Sequence, residues 1–62
     1  MNDAQRYRMI MRFHDRKMAS VPGTLEHHVC GCIVLALGYG ARLRRVNWIA
    51  RRERAKWGCQ KG

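Results

Sequence analysis

The chain has 62 residues and carries 13 Lys and Arg against 4 Asp and Glu, a formal net charge of +9. This length allows one small domain, and an apolar content of 47% excludes a chain that is disordered by composition. No apolar run reaches the roughly 18 residues of a membrane-spanning helix, and the charged N-terminus lacks the apolar segment of a signal peptide.

The cationic residues form two blocks, and no Lys or Arg lies between Lys17 and Arg42. Arginine dominates both blocks. Its guanidinium group binds phosphate and carboxylate with two parallel hydrogen bonds and stacks on aromatic rings and bases. The charge therefore predicts an anionic partner, either DNA or an acidic face of another protein.

Residues 4–19 predict a helix, because good helix formers run without Gly or Pro. Its expected apolar face consists of Ala4, Tyr7, Ile10, Met11, His14 and Met18, with Phe13 at the edge. On the opposite face Arg8, Arg12 and Arg16 follow one another at intervals of four residues, which predicts an exposed basic stripe.

Residues 20–23 contain a Pro-Gly pair and predict a loop, after which Thr24 is a suitable N-cap for a helix over 24–37. This second helix is apolar nearly all round, which is typical of a core or an oligomer interface. We expect it to form a homodimer through the Val29–Leu37 face. Leu35 is assigned to the core, so Leu35→Asp is expected to abolish folding or dimerisation.

The segment Gly38-Tyr39-Gly40 leaves two alternatives open. A turn at residues 38–40 gives three helices, whereas a continuous helix gives a two-helix hairpin that exposes Tyr39 and Trp48 beside the arginines. Residues 41–57 predict a basic helix in either case, with Gly58 as its stop and a mobile tail over 58–62. Because Trp48 and Trp57 lie on different faces of that helix, a role on a membrane surface is disfavoured.

Four residues around the possible turn have the spacing of a DNA-binding motif. Ala36 is small, Gly40 follows after four residues, and Val46 and Ile49 follow six and nine residues after Gly40. Residues 32–52 thus resemble the helix-turn-helix DNA-binding proteins, with Leu35 and Tyr39 as further core positions. The resemblance implies that the helix from residue 41 enters the major groove and that Arg8, Arg12 and Arg16 contact the DNA backbone.

Size, basic charge and Arg-rich helices also resemble the small accessory proteins of bacteriophages, which include anti-activators and anti-CRISPR proteins. This resemblance implies a location in the cytoplasm of a bacterial host cell. It also implies an alternative function, inhibition of a host regulatory protein.

Metal binding and catalysis receive less support. His28 and Cys32 stand four residues apart on the predicted helix and could share an ion, with His27 and Cys30 nearby. The two spaced ligand pairs of the usual zinc site are missing, so we predict no metal and no cofactor. Nothing indicates a cleft around a Cys–His pair, so we predict no enzymatic activity.

The sequence therefore predicts an all-α single domain over residues 1–62, a helical hairpin or a three-helix (helix-turn-helix-like) arrangement that forms a homodimer. Its expected function is that of a small DNA-binding regulatory protein encoded by a phage or mobile element. The predicted partner-binding residues are Arg8, Arg12, Arg16, Tyr39, Arg42, Arg44, Arg45, Asn47, Trp48, Arg51 and Arg52.

Overall fold

A computed structural model describes the backbone of residues 2–61 and the side chains of residues 2–57. It contains three helices, α1 (Asp3–Ala19), α2 (Leu25–Gly38) and α3 (Leu43–Lys61), and no strand within the described backbone. The predicted all-α fold is confirmed. Helix α2 packs against both α1 and α3, whereas α1 and α3 do not pack against each other over the described residues.

The first two helices begin at side-chain caps. The Asn2 side chain accepts a hydrogen bond from the Gln5 backbone N–H at 2.8 Å, and the Gln5 side chain accepts one from the Asn2 N–H at 3.3 Å. This reciprocal pair is a capping box. Thr24 caps α2 through a bond from the His27 N–H, as the sequence predicted.

The chain turns at Gly40, which has a φ of +92°. The Gly40 N–H donates to the Leu37 carbonyl at 3.1 Å and the Ala41 N–H donates to the Ala36 carbonyl at 2.9 Å. These two bonds form a Schellman motif, whose left-handed residue is usually glycine because a Cβ is strained there. The structure thus has the turn and not the continuous helix.

The bounds of α3 differ from those predicted. The helix begins at Leu43 rather than at residue 41, because the Schellman motif extends to Ala41. It also passes through Gly58 and ends at Lys61, so Gly58 is not the stop. One glycine costs a helix only about 1 kcal/mol, which does not end it. Residue 62 of the predicted tail lies outside the described backbone.

The core is a stripe of α2 covered by its two neighbours. Val29, Ile33 and Leu37 are buried at intervals of four residues, together with Val46 of α3. Partly buried apolar residues surround this cluster: Met9, Ile10, Phe13, Leu25, Ala36, Ala41 and Ala50. Folding of a single chain thus already buries Val29, Ile33 and Leu37 of the predicted dimer face. The homodimer itself stays a prediction.

Two further core assignments are wrong. Leu35 is 62% exposed and Tyr39 is 88% exposed, because both lie on the side of α2 that faces away from α1 and α3. Helix α1 is also rotated from the predicted orientation. It buries the side that carries Met9 and Phe13 and leaves Tyr7, Met11 and Met18 exposed. Ile10 belongs to both the predicted face and the observed one. The spacing of apolar residues alone therefore did not identify which face packs inward.

The two leucines of α2 provide a matched test of this core. Leu37 is completely buried, so Leu37→Ala should lower the free energy of unfolding by about 2–5 kcal/mol. Leu35→Ala removes the same atoms from an exposed site, and it should change the free energy of unfolding by about 0.5 kcal/mol or less. Urea unfolding followed by circular dichroism measures both. Equal losses for the two variants would contradict the placement of the core.

Candidate nucleic-acid interface

Arg6 connects α1 to the turn between α2 and α3. Its Nη1 donates hydrogen bonds to the carbonyl oxygens of Leu37 at 3.1 Å and Ala41 at 2.7 Å. These carbonyls lie at and just beyond the C-terminal end of α2, where the helix dipole favours a cation. The contact holds the first half of α1 beside the start of α3. Sequence reasoning missed this role, although Arg6 stands three and seven residues before Met9 and Phe13, on the face of α1 that packs inward.

A corresponding contact lies at the other end of α1. The His27 Nδ1 lies 3.0 Å from the Lys17 carbonyl oxygen, which requires the ring nitrogen to donate. The Ser20 hydroxyl donates to the same oxygen at 2.7 Å. One C-terminal carbonyl of α1, that of Lys17, is thus satisfied by a side chain of α2 as well as by one of the following loop.

An open cleft lies where α1 passes the start of α3. Its volume is about 1110 Å³. Arg8 and Arg12 line it from α1, and Arg42 and Arg44 line it from the other side. No acidic side chain takes part. The full lining is Gln5, Arg6, Arg8, Met9, Arg12, Gly40, Arg42, Leu43 and Arg44.

All of the predicted binding residues are exposed, namely Arg8, Arg12, Arg16, Tyr39, Arg42, Arg44, Arg45, Asn47, Trp48, Arg51 and Arg52. The basic stripe of α1 is exposed as predicted, but only Arg8 and Arg12 line the cleft. Arg16 lines a separate groove of about 370 Å³, together with Glu26 and Arg54. Its guanidinium carbon lies 6.0 Å from the centre of the Phe13 ring.

The solvent-facing side of α3 carries an aromatic ring between two arginines. The guanidinium carbons of Arg45 and Arg52 lie 4.6 Å and 5.2 Å from the centre of the Trp48 ring. Such cation–π contacts orient the guanidinium groups along the helix surface. Together with Asn47, they give α3 a surface that can both stack on bases and donate hydrogen bonds.

A second polar cluster lies between α2 and α3, away from the cleft. The His28 Nε2 is 3.3 Å from a Glu53 carboxylate oxygen and 3.7 Å from the Cys32 Sγ. All three atoms lie within 4.8 Å of one another. Burial raises the pKa of the Cys32 thiol, the Glu53 carboxylate raises it further, and Lys56 lowers it. Sequence reasoning paired His28 with Cys32 but missed Glu53, because 21 residues separate it from Cys32.

No protein-family model, curated protein or solved structure matches this chain. The geometry and charge of the chain itself are therefore what bear on its function. Within the part of the chain that the structure describes, no helix is both long and apolar enough to cross a membrane.

The structural role of Arg6 can be distinguished from that of the exposed arginines of the cleft by measuring the stability of variants. Arg6→Met keeps the aliphatic length but removes both bonds to carbonyl oxygens, so it should lower the free energy of unfolding by about 1.5–3 kcal/mol. Arg8→Met makes the same chemical change at an exposed residue and should cost about 0.5 kcal/mol or less. Thermal unfolding measures both variants. If Arg6→Met were as stable as Arg8→Met, the contact with the turn would not hold α1 in place.

Proposed function

We propose that this protein is a small DNA-binding regulator encoded by a phage or mobile element, with the arginine-lined cleft as its phosphate-binding surface. The observation that carries the proposal is the convergence of Arg8, Arg12, Arg42 and Arg44 on one cleft without an acidic side chain. Arg8 and Arg12 are 30 to 36 residues from Arg42 and Arg44 in sequence, and the fold brings these like charges to one cleft, where they repel. An anion that sits between them offsets that repulsion.

The electrostatics at the start of α3 add to this attraction. The first turn of α3 contains no acidic residue, and Arg42, Leu43 and Arg44 place that turn at the cleft. The N-terminal end of a helix carries a partial positive charge, so it favours a phosphate group. The net charge of +9 attracts DNA at longer range and raises the association rate.

We assign recognition of the DNA base sequence to the solvent-facing side of α3. Recognition helices of helix-turn-helix proteins contact base edges with residues near their N-terminal end. Here Arg45 and Asn47 are exposed in the first turns of α3, whereas Arg44 lines the cleft. Arginine suits guanine O6 and N7, and asparagine suits adenine N6 and N7.

The residues of the helix-turn-helix pattern support this arrangement in part. Gly40 has the positive φ of the turn, Val46 is buried, and Ala36 and Ile49 are partly buried. The exposure of Leu35 and Tyr39 departs from the pattern, which expects both in the core. The proposal therefore depends on the cleft and on the exposed face of α3, and not on family membership.

Binding to a random DNA duplex across a salt series tests the proposal. Four free arginines in the cleft predict a slope of log K against log salt of about −4. Binding at micromolar or tighter affinity is expected at near-physiological salt. Arg12→Ala should make the slope shallower by about 1.

Arg54→Ala is the matched control, because it removes the same charge from the other groove, which also contains Glu26. Its slope should stay close to that of the unaltered protein. Equal effects of the two variants would indicate a diffuse polycation and contradict the cleft. Binding only at very low salt would also reject DNA as the partner.

An inhibitor of a host regulatory protein is the second candidate function. Exposed apolar side chains on α1 favour it, because Tyr7, Met11 and Met18 recur on one side of that helix and remain uncovered in a single chain. Tyr39 and Trp48 add exposed aromatic rings, which are enriched at binding hot spots. If the salt series rejects DNA, capture of host proteins should be lost on Tyr39→Ala and retained on Arg54→Ala.

A further inference from the structure

The position of Glu53 is unusual for its helix. It is the only acidic residue of α3, and its side chain is only 19% exposed, whereas the arginines of the same helix are exposed. A carboxylate on the inner face of a helix needs a partner to offset its lost hydration. Glu53 meets His28 and Cys32 of α2 there instead of an arginine.

We propose that His28, Cys32 and Glu53 bind one Zn²⁺ ion between α2 and α3, with water in the fourth position. Imidazole nitrogen, thiolate sulfur and carboxylate oxygen are the three kinds of zinc ligand that proteins supply. Three protein ligands and one water give the four-coordinate site that zinc prefers.

The two distances from the His28 nitrogen fit that geometry. Tetrahedral zinc with its usual bond lengths requires about 3.4 Å between the nitrogen and oxygen ligands and about 3.6 Å between the nitrogen and sulfur ligands. The structure has 3.3 Å from His28 Nε2 to the Glu53 oxygen and 3.7 Å from His28 Nε2 to Cys32 Sγ. The Cys32 sulfur and a Glu53 carboxylate oxygen lie within 4.8 Å of each other, against the about 3.6 Å that tetrahedral zinc requires.

The surroundings also suit a metal site. The Trp57 ring packs against the His28 ring at 5.6 Å between centroids, which holds the imidazole in place and shields one side of the site. His28 keeps 40% of its side chain exposed, so an ion can enter from solvent. Zinc binding would release the Cys32 thiol proton to water, and the resulting thiolate and the Glu53 carboxylate would balance the charge of Zn²⁺.

The consequence of binding is a second link between α2 and α3. Val46 is buried near the start of α3, whereas Glu53 lies two turns further along. Zinc at Glu53 would therefore fix the direction of the distal half of α3, which the apolar core reaches less fully. The site is separate from the arginine cleft and does not depend on the proposed DNA binding.

Titration of the reduced full-length protein with Co²⁺ tests the proposal, because cobalt takes the place of zinc and is coloured. We expect one equivalent to produce the thiolate-to-cobalt charge-transfer band and the visible bands of a tetrahedral site, and Zn²⁺ to displace it. Cys32→Ser should abolish the charge-transfer band. His28→Ala and Glu53→Gln should weaken binding by about tenfold or more.

His14→Ala and Cys30→Ala are the matched controls, because His14 is exposed elsewhere and the buried Cys30 lies outside the cluster. Both should keep the spectrum, and far-ultraviolet circular dichroism should show that every variant stays helical. Zn²⁺ should raise the midpoint of thermal unfolding of the unaltered protein. The increase should be smaller for Glu53→Gln. A colourless Co²⁺ complex, or a charge-transfer band that persists in Cys32→Ser, would overturn the assignment and leave a plain His28–Glu53 ion pair.

Discussion

The packing of α1 and α3 on helix α2 determines where the other two helices lie. Among the described residues, α1 and α3 each pack against α2 and do not pack against each other. The stripe of Val29, Ile33 and Leu37 supplies the apolar contact with both neighbours. Arg6 then fixes α1 against the end of α2 by donating to carbonyl oxygens on either side of Gly40. The arginines of two separate helices converge because these contacts hold their helices in one orientation.

The arginines lie at the surface of the protein. Burial would cost a charged side chain its hydration, so all of the arginines except Arg6 are exposed. Arg6 is the exception, because the carbonyl end of α2 compensates for its partial burial. The charged side chains that line the cleft are all basic, whereas Glu26 accompanies Arg16 and Arg54 in the other groove.

The sequence predicted the features that depend on local rules. The helices and the Thr24 cap follow from propensity and capping chemistry. The sequence leaves open whether residues 38–40 turn, and the structure has the turn, with a positive φ at Gly40. Sequence reasoning failed where tertiary packing chooses between equivalent local patterns. Leu35 and Leu37 are indistinguishable in an all-apolar helix, and α1 has two overlapping apolar faces that share Ile10. Arg6 and Glu53 act across 31 and 21 residues, a separation that periodicity cannot detect.

The proposed DNA binding places a phosphate backbone in the cleft between α1 and the start of α3. Nitrogen-15 NMR spectra of the labelled protein, recorded with and without an unlabelled duplex at near-physiological salt, test it residue by residue. We expect the largest chemical-shift changes at Arg8, Arg12, Arg42 and Arg44, including their side-chain Nε signals. Changes concentrated at Glu26 and Arg54, or no changes at all, would contradict it.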